Sequence, residues 1–190
     1  MRQLGPIALA LVLVTCGGAP PPAASSATPR GAASPATPPA SPSTSPAAAA
    51  TSANGVTSTI FAVGQFHEID AQTVAYSGTW QARINTKGES DVWVLENKIA
   101  PGGSFGWHSH PGPSLVVVKA GALTLYRADD PKCTPQVVEA GSGFVDAGGD
   151  VHLVRNEATI EAVVYVMSVV PRSASRKIDK PQPGNCQGIQ

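Results

Sequence analysis

The chain has 190 residues and balanced formal charge, 13 basic against 13 acidic side chains, which allows at most one ordinary domain with extensions. Arg2 and Arg30 are the only charged residues before Thr59, so the remainder holds 11 basic and 13 acidic residues, a formal charge of −2. That balance excludes the basic footprint of a nucleic-acid binder and the polybasic patch that recognises anionic lipid.

At the N-terminus, Arg2 precedes an apolar run from Leu4 to Val14, "LGPIALALVLV". As a helix the run reaches about 16 Å, roughly half a hydrocarbon core, so residues 1–15 read as an export signal and not as a membrane span. Leu13-Val14-Thr15-Cys16 resembles the lipobox of bacterial lipoproteins, with Thr15 where that pattern has Gly, Ala or Ser. The resemblance implies cleavage before Cys16 and diacylation of its thiol, giving a cell-envelope lipoprotein that touches the membrane only through this anchor. A plain secretory signal cut near Pro21–Ala24 is the alternative, with a periplasmic or secreted product. Residues 16–58 are almost entirely Ala, Pro, Ser, Thr and Gly. So few large apolar side chains cannot offset the entropy of ordering, which predicts a disordered tether.

Beyond Thr59 the pattern becomes one of short β-rich runs divided by Gly, Pro, Asn and Asp signals. Strands are expected at 59–66, 79–86, 91–100, 104–110, 114–119, 122–128, 136–140, 143–147, 151–156 and 161–170. No stretch holds a 3.6-residue apolar period for more than two turns, so the expected class is all-β, an antiparallel barrel or sandwich. Lys119-Ala120-Gly121 reads as the turn of a hairpin, with Gly121 at positive φ. "AVVYVMSVV" is apolar at both parities, which predicts a strand covered on both faces.

Cys133 and Cys186 allow one intramolecular pairing once Cys16 is set aside. A bridge between them closes a loop of about 53 residues, worth about 4 kcal/mol on the chain-entropy view. It would hold the tail, residues 173–190, against the domain. Two free thiols are the alternative, disfavoured in an oxidising compartment.

The candidate chemistry lies in "GWHSHPGPSLVVV". His108 and His110 are two residues apart, so in a strand both imidazoles face one way. The residue expected to face them is His152, in "AGGDVHLVRN", where Val151 and Leu153 take the opposite parity. Neutral imidazoles from two neighbouring strands suit zinc, iron, copper or nickel and leave positions open on the far side of the ion. His67 in "FHEID" has no such partner and reads as structural.

At these positions the sequence resembles the cupin superfamily. Gly102, His108, His110 and Gly121 stand where its first motif has them, with Ser114 in place of a glutamate. Gly141, Gly149, His152 and Asn156 match the second motif, with Ala147 in place of a proline. The resemblance implies a double-stranded β-helix (jelly-roll) cupin barrel over residues 59–172, a divalent metal on His108, His110 and His152, and pairing as a homodimer in many members. Iron, zinc, nickel, copper and manganese are not distinguished, although losing the glutamate disfavours manganese. With a neutral serine there, the ion would keep its full charge and favour a small anionic or chelating ligand. Asp146 or Glu139, on neighbouring strands, could supply a carboxylate. The expected function is an exported metal-binding module for a small-molecule ligand, the alternative a dioxygenase- or isomerase-like enzyme. No acid/base carboxylate or nucleophile motif accompanies the histidines in the chain.

Overall fold

The computed structural model describes residues 51–74 and 78–190; the segments expected to be export signal and tether, up to residue 50, and Cys16 lie outside the described residues. Twelve strands follow: β1 (Asn54–Phe66), β2 (Asp70–Gln72), β3 (Arg83–Asn85), β4 (Ser90–Ser104), β5 (His108–Ser109), β6 (Ser114–Ala120), β7 (Ala122–Arg127), β8 (Gln136–Glu139), β9 (Gly143–Asp146), β10 (His152–Arg155), β11 (Ala162–Pro171) and β12 (Ile178–Asp179). A single 3-10 turn, Gly184–Cys186, is the one helical element among the described residues. No described helix is long and apolar enough to cross a membrane.

Antiparallel pairing builds one sheet in the order β1-β4-β11-β6-β9. A second runs β8-β7-β10-β5-β12. They join where Ser104 at the end of β4 meets Arg155 of β10, giving a nearly closed barrel. Leu95, Ile99, Val118, Leu123, Leu125, Val154, Val164 and Val166 fill the space between the sheets. Each of these comes from alternate positions of a strand, as a period of two requires. β2 and β3 form a separate exposed two-stranded sheet.

The differences from expectation have local causes. β1 takes in Asn54–Ser58, at the end of the segment whose composition reads as tether: its backbone pairs with β4 and Val56 packs on the core. Ala100-Pro101-Gly102-Gly103 looks like a strand break but lies inside β4, where the register with β1 slips and the strand passes from one sheet to the other. A Cβ at Gly103 would stand 2.8 Å from the carbonyl oxygens of Ala100 and Gly55, so only glycine fits this kink. Of the expected strand at 79–86 only Arg83–Asn85 forms, with Ile84 half exposed and no barrel strand to pair with.

The expected hairpin does not form. Gly121 has φ of 71°, yet β6 pairs with β11 and β9 while β7 pairs with β10 and β8. The chain turns a barrel corner there, pressed so close to Glu161 and Ala162 that a Cβ would lie 2.8–2.9 Å from their backbone. β11 is fully covered on one face, at Ala162, Val164, Val166, Ser168 and Val170, and only partly on the other, where Val169 is buried, Val163 and Met167 are half-buried and Tyr165 is exposed. The strands covered on both sides are β7 and β10. Their outer residues Tyr126 and Leu153 pack with Trp107, Cys133 and Cys186 beneath the C-terminal tail. The Cys133–Cys186 disulfide is present and pins that tail.

Candidate metal centre

His108 sits in β5 and is the direct register partner of His152 in β10, while His110 follows β5 by one residue. Period-two geometry turns all three rings inward, and the intervening Trp107, Ser109 and Leu153 outward into the layer under the tail or against it. The three residues are buried, with ring centroids 4.4 Å (His108–His152), 4.9 Å (His108–His110) and 5.4 Å (His110–His152) apart. One nitrogen from each lies within 4.8 Å of the others, a cluster that could bind a metal ion.

Carbonyl oxygens fix how the rings are protonated. The His108 Nδ1 is 2.7 Å from the Gly106 oxygen, His110 Nδ1 2.6 Å from that of Arg176, and His152 Nδ1 3.2 Å from that of Asp150. A carbonyl only accepts, so each Nδ1 must carry the proton and donate it. In the neutral ring the lone pair is then on Nε2, which is the tautomer a metal takes through Nε2. Burial keeps the rings neutral. Desolvation, reinforced by the neighbouring rings, lowers the His108 pKa to about 2. Desolvation also lowers those of His110 and His152, against the opposing pull of Asp146.

Asp146, at the end of β9, stands beside the cluster. Its carboxylate is buried, and Oδ1 accepts the Gly148 amide at 2.9 Å. Oδ2 has no hydrogen-bond partner, although it lies 3.3 Å from His110 Nε2 and 3.4 Å from His152 Nε2. With both rings neutral and protonated on Nδ1, these are contacts between a carboxylate and two lone pairs, not ion pairs. Such an arrangement is repulsive until a cation stands among the groups. The residues present therefore fit a divalent metal.

The remaining motif positions have structural explanations. Ser114, where the motif has a glutamate, hydrogen-bonds Ser168 through the two hydroxyls at 2.7 Å. Asn156 is fully buried; its amide donates to the carbonyls of Ile99 and Ile160 while its oxygen accepts the Ala158 amide, locking the turn after β10. Gly102, Gly121, Gly141 and Gly149 all have positive φ. Glu139 is exposed on β8 and stays away from the rings. His67 is an exposed residue beside Glu89.

The tail supplies what the sequence reading did not anticipate. β12 pairs with β5, setting Asp179 opposite His108. Arg176 and Lys177, just before β12, line the cavity beside the three histidines. Lys177 pairs with Asp179, but the Arg176 guanidinium has no ion-pair or hydrogen-bond partner among the described residues. Burial lowers its pKa, yet a guanidinium remains charged. The available signal was indirect: a disulfide that draws the tail onto the barrel must also bring its charged residues there.

No curated protein matches the chain. Among solved structures, the cupin-2 domain of an XRE family transcriptional regulator from Enterobacter cloacae is similar over 63% of this chain and 100% of its own, with 16% identity and a TM-score of 0.39. An oxalate oxidase in complex with the substrate analogue glycolate is similar over 40% of this chain and 41% of its own, with 29% identity and a TM-score of 0.37. A predicted oxalate decarboxylase from Thermotoga maritima is similar over 44% and 83%, with 17% identity and a TM-score of 0.36. At these TM-scores the likenesses carry no argument about what this chain does. The cupin domain family model matches residues 95–169, the stretch that holds both histidine motifs, and this match supports the cupin superfamily for the barrel.

Proposed function

We propose that this is an exported, envelope-anchored cupin-type barrel that holds a divalent transition metal on His108, His110 and His152 and captures a small anionic ligand there. One observation carries the reading: three Nε2 lone pairs, fixed by three carbonyl oxygens, converge beside a buried carboxylate oxygen that has no hydrogen-bond partner. A bound divalent ion supplies a Lewis-acid centre with positions open to a ligand. The Cys133–Cys186 disulfide supports an oxidising compartment, and the lipobox-like Cys16 supports attachment at the envelope.

The ligand's class follows from the cavity. Its volume of about 40 Å³ suits a small occupant. The unpaired Arg176 guanidinium at its wall favours a carboxylate or comparable oxyanion, for which the planar fork is suited.

Elemental analysis of protein purified without a histidine tag tests the metal, with about one equivalent expected and near-complete loss in His152→Ala. Less than about a tenth of an equivalent, unchanged by that substitution, overturns the reading. Arg176→Ala should weaken formate or azide binding to the metal-loaded protein by about tenfold or more at unchanged metal content. Equal binding by wild type and variant removes Arg176 from the ligand site.

A second reading, a metal-dependent enzyme, is favoured by the apolar part of the cavity wall, where Val116, Leu123, Phe144 and Val166 exclude water from the ligand side. Oxygen consumption by iron-loaded protein against thiols, diketones and phenols separates the two. Turnover abolished by His110→Ala selects the enzyme; binding without turnover selects the capture module.

A further inference from the structure

We propose that Asp146 is a fourth ligand of the metal, taking over across the β6–β9 pairing the place that the cupin motif gives to a glutamate at position 114. The inference rests on the metal-binding reading above and specifies its donor set. Ser114 and Asp146 are direct register partners, so their side chains leave neighbouring strands toward the same face. Both line the cavity beside the histidines. A carboxylate is therefore offered from the strand next to the one where the motif has it, on a side chain one methylene shorter than glutamate.

Three further observations assign Asp146 to the ion and not to a supporting contact. Its Oδ1 is fixed by the Gly148 amide, which sets the plane of the carboxylate and aims Oδ2 inward. Oδ2 itself has no donor, in a residue 2% exposed, and an uncompensated buried carboxylate oxygen is strongly unfavourable. Its separations from His110 Nε2 and His152 Nε2, 3.3 and 3.4 Å, are short enough for one ion to contact all three of these atoms at about 2.0–2.1 Å. Ser114 does not compete, because its hydroxyl is engaged with Ser168. Oxygen and imidazole together suit zinc, cobalt or iron, and the carboxylate reduces the charge of a divalent ion by one before the external ligand arrives.

The test uses the full mature protein loaded with cobalt(II), read by chelator competition, by the ligand-field absorption spectrum and by thermal melting. Asp146→Ala should weaken cobalt binding by more than about 100-fold, beyond what losing a residue that merely steadies a ligand produces, and should alter the spectrum. Asp146→Asn, which keeps an acceptor for the Gly148 amide, should leave the metal-free protein as stable as wild type or more so, since it removes a charge facing two lone pairs. A structural role would instead lower the metal-free melting temperature. The double variant Ser114→Glu with Asp146→Ala should recover affinity to within about tenfold of wild type and return the spectrum toward it. Asp146→Asn also covers the case in which the double variant does not fold, and its cobalt affinity and spectrum should change as those of Asp146→Ala do. Unchanged spectra in both single variants overturn the assignment, whatever the affinity. Wild-type protein that is folded but binds no cobalt overturns the metal-binding reading itself, and this assignment with it.

Discussion

The two sheets of the barrel share a construction but differ in what covers them. The outer side of β7 and β10 is sealed: Trp107 and Leu153 are fully buried beneath a tail held by the Cys133–Cys186 bridge. The outer side of β4, β6, β9 and β11 is bare, with Val94, Leu115, Val117 and Val145 between 42% and 58% exposed. The difference shows what the covering accomplishes. The sealed sheet carries His108 and His152, and its cover also delivers the Arg176 carbonyl to His110 and the Arg176 guanidinium to the cavity. The bare sheet has no such addition, and its part in the site, Ser114 and Asp146, points inward.

The contrast breaks most severely when the bridge is removed. Cys186→Ser should lower stability by up to about 4 kcal/mol in urea unfolding. It should also red-shift tryptophan emission, because Trp107 donates its indole N–H to the Ile189 carbonyl inside the tail. Metal affinity should fall with it, since the acceptor for His110 is released. A variant that melts lower but keeps wild-type affinity and emission would show that the tail stays docked unaided.

Acid acts next, through the buried rings. Folded, they hold pKa values below the ordinary 6.5, chiefly through burial, with His108 at about 2. Below 6.5 the unfolded chain therefore takes up protons that the folded one refuses, and the metal-free protein loses stability as pH falls toward 2. The slope reaches about 1.4 kcal/mol per pH unit for each ring at full difference. Unfolding at pH 7.5 and 5.5 should show the fall, and His152→Ala should flatten it.

The smallest effect belongs to the bare sheet. Leu115→Ser should change stability by less than about 0.5 kcal/mol, as for an exposed position. A loss that grows with protein concentration would instead show that a second copy covers this face, turning an apparent difference between the sheets into a shared requirement for a cover.

What the chain discloses in advance depends on how far apart, along it, the interacting groups lie. The spacing of His108 and His110 is a strand period, and the glycines around them mark turns through their positive φ, so the clustering of the three histidines and the all-β class could be anticipated. Asn156 was legible only as a motif position; its hydrogen bonds across the turn after β10 came with the structure. Asp146 was only one of two carboxylates in range, because the register that sets it against Ser114 is a property of pairing across strands and leaves no periodic trace. Arg176 lies 66 residues from the His110 ring it orients, beyond any local pattern. The misread turn at Gly121 has a similar origin: positive φ is common to hairpins and barrel corners, and what separates them is the approach of Glu161 and Ala162 from far along the chain.

Because the His110 ring is steadied by the backbone oxygen of Arg176, which lies beyond β11, the strands up to β11 alone leave that imidazole without its acceptor. The tail must fold back onto the barrel, where the Cys133–Cys186 bridge holds it, before this imidazole is held in place. Loading of the proposed ion would therefore follow docking of the tail.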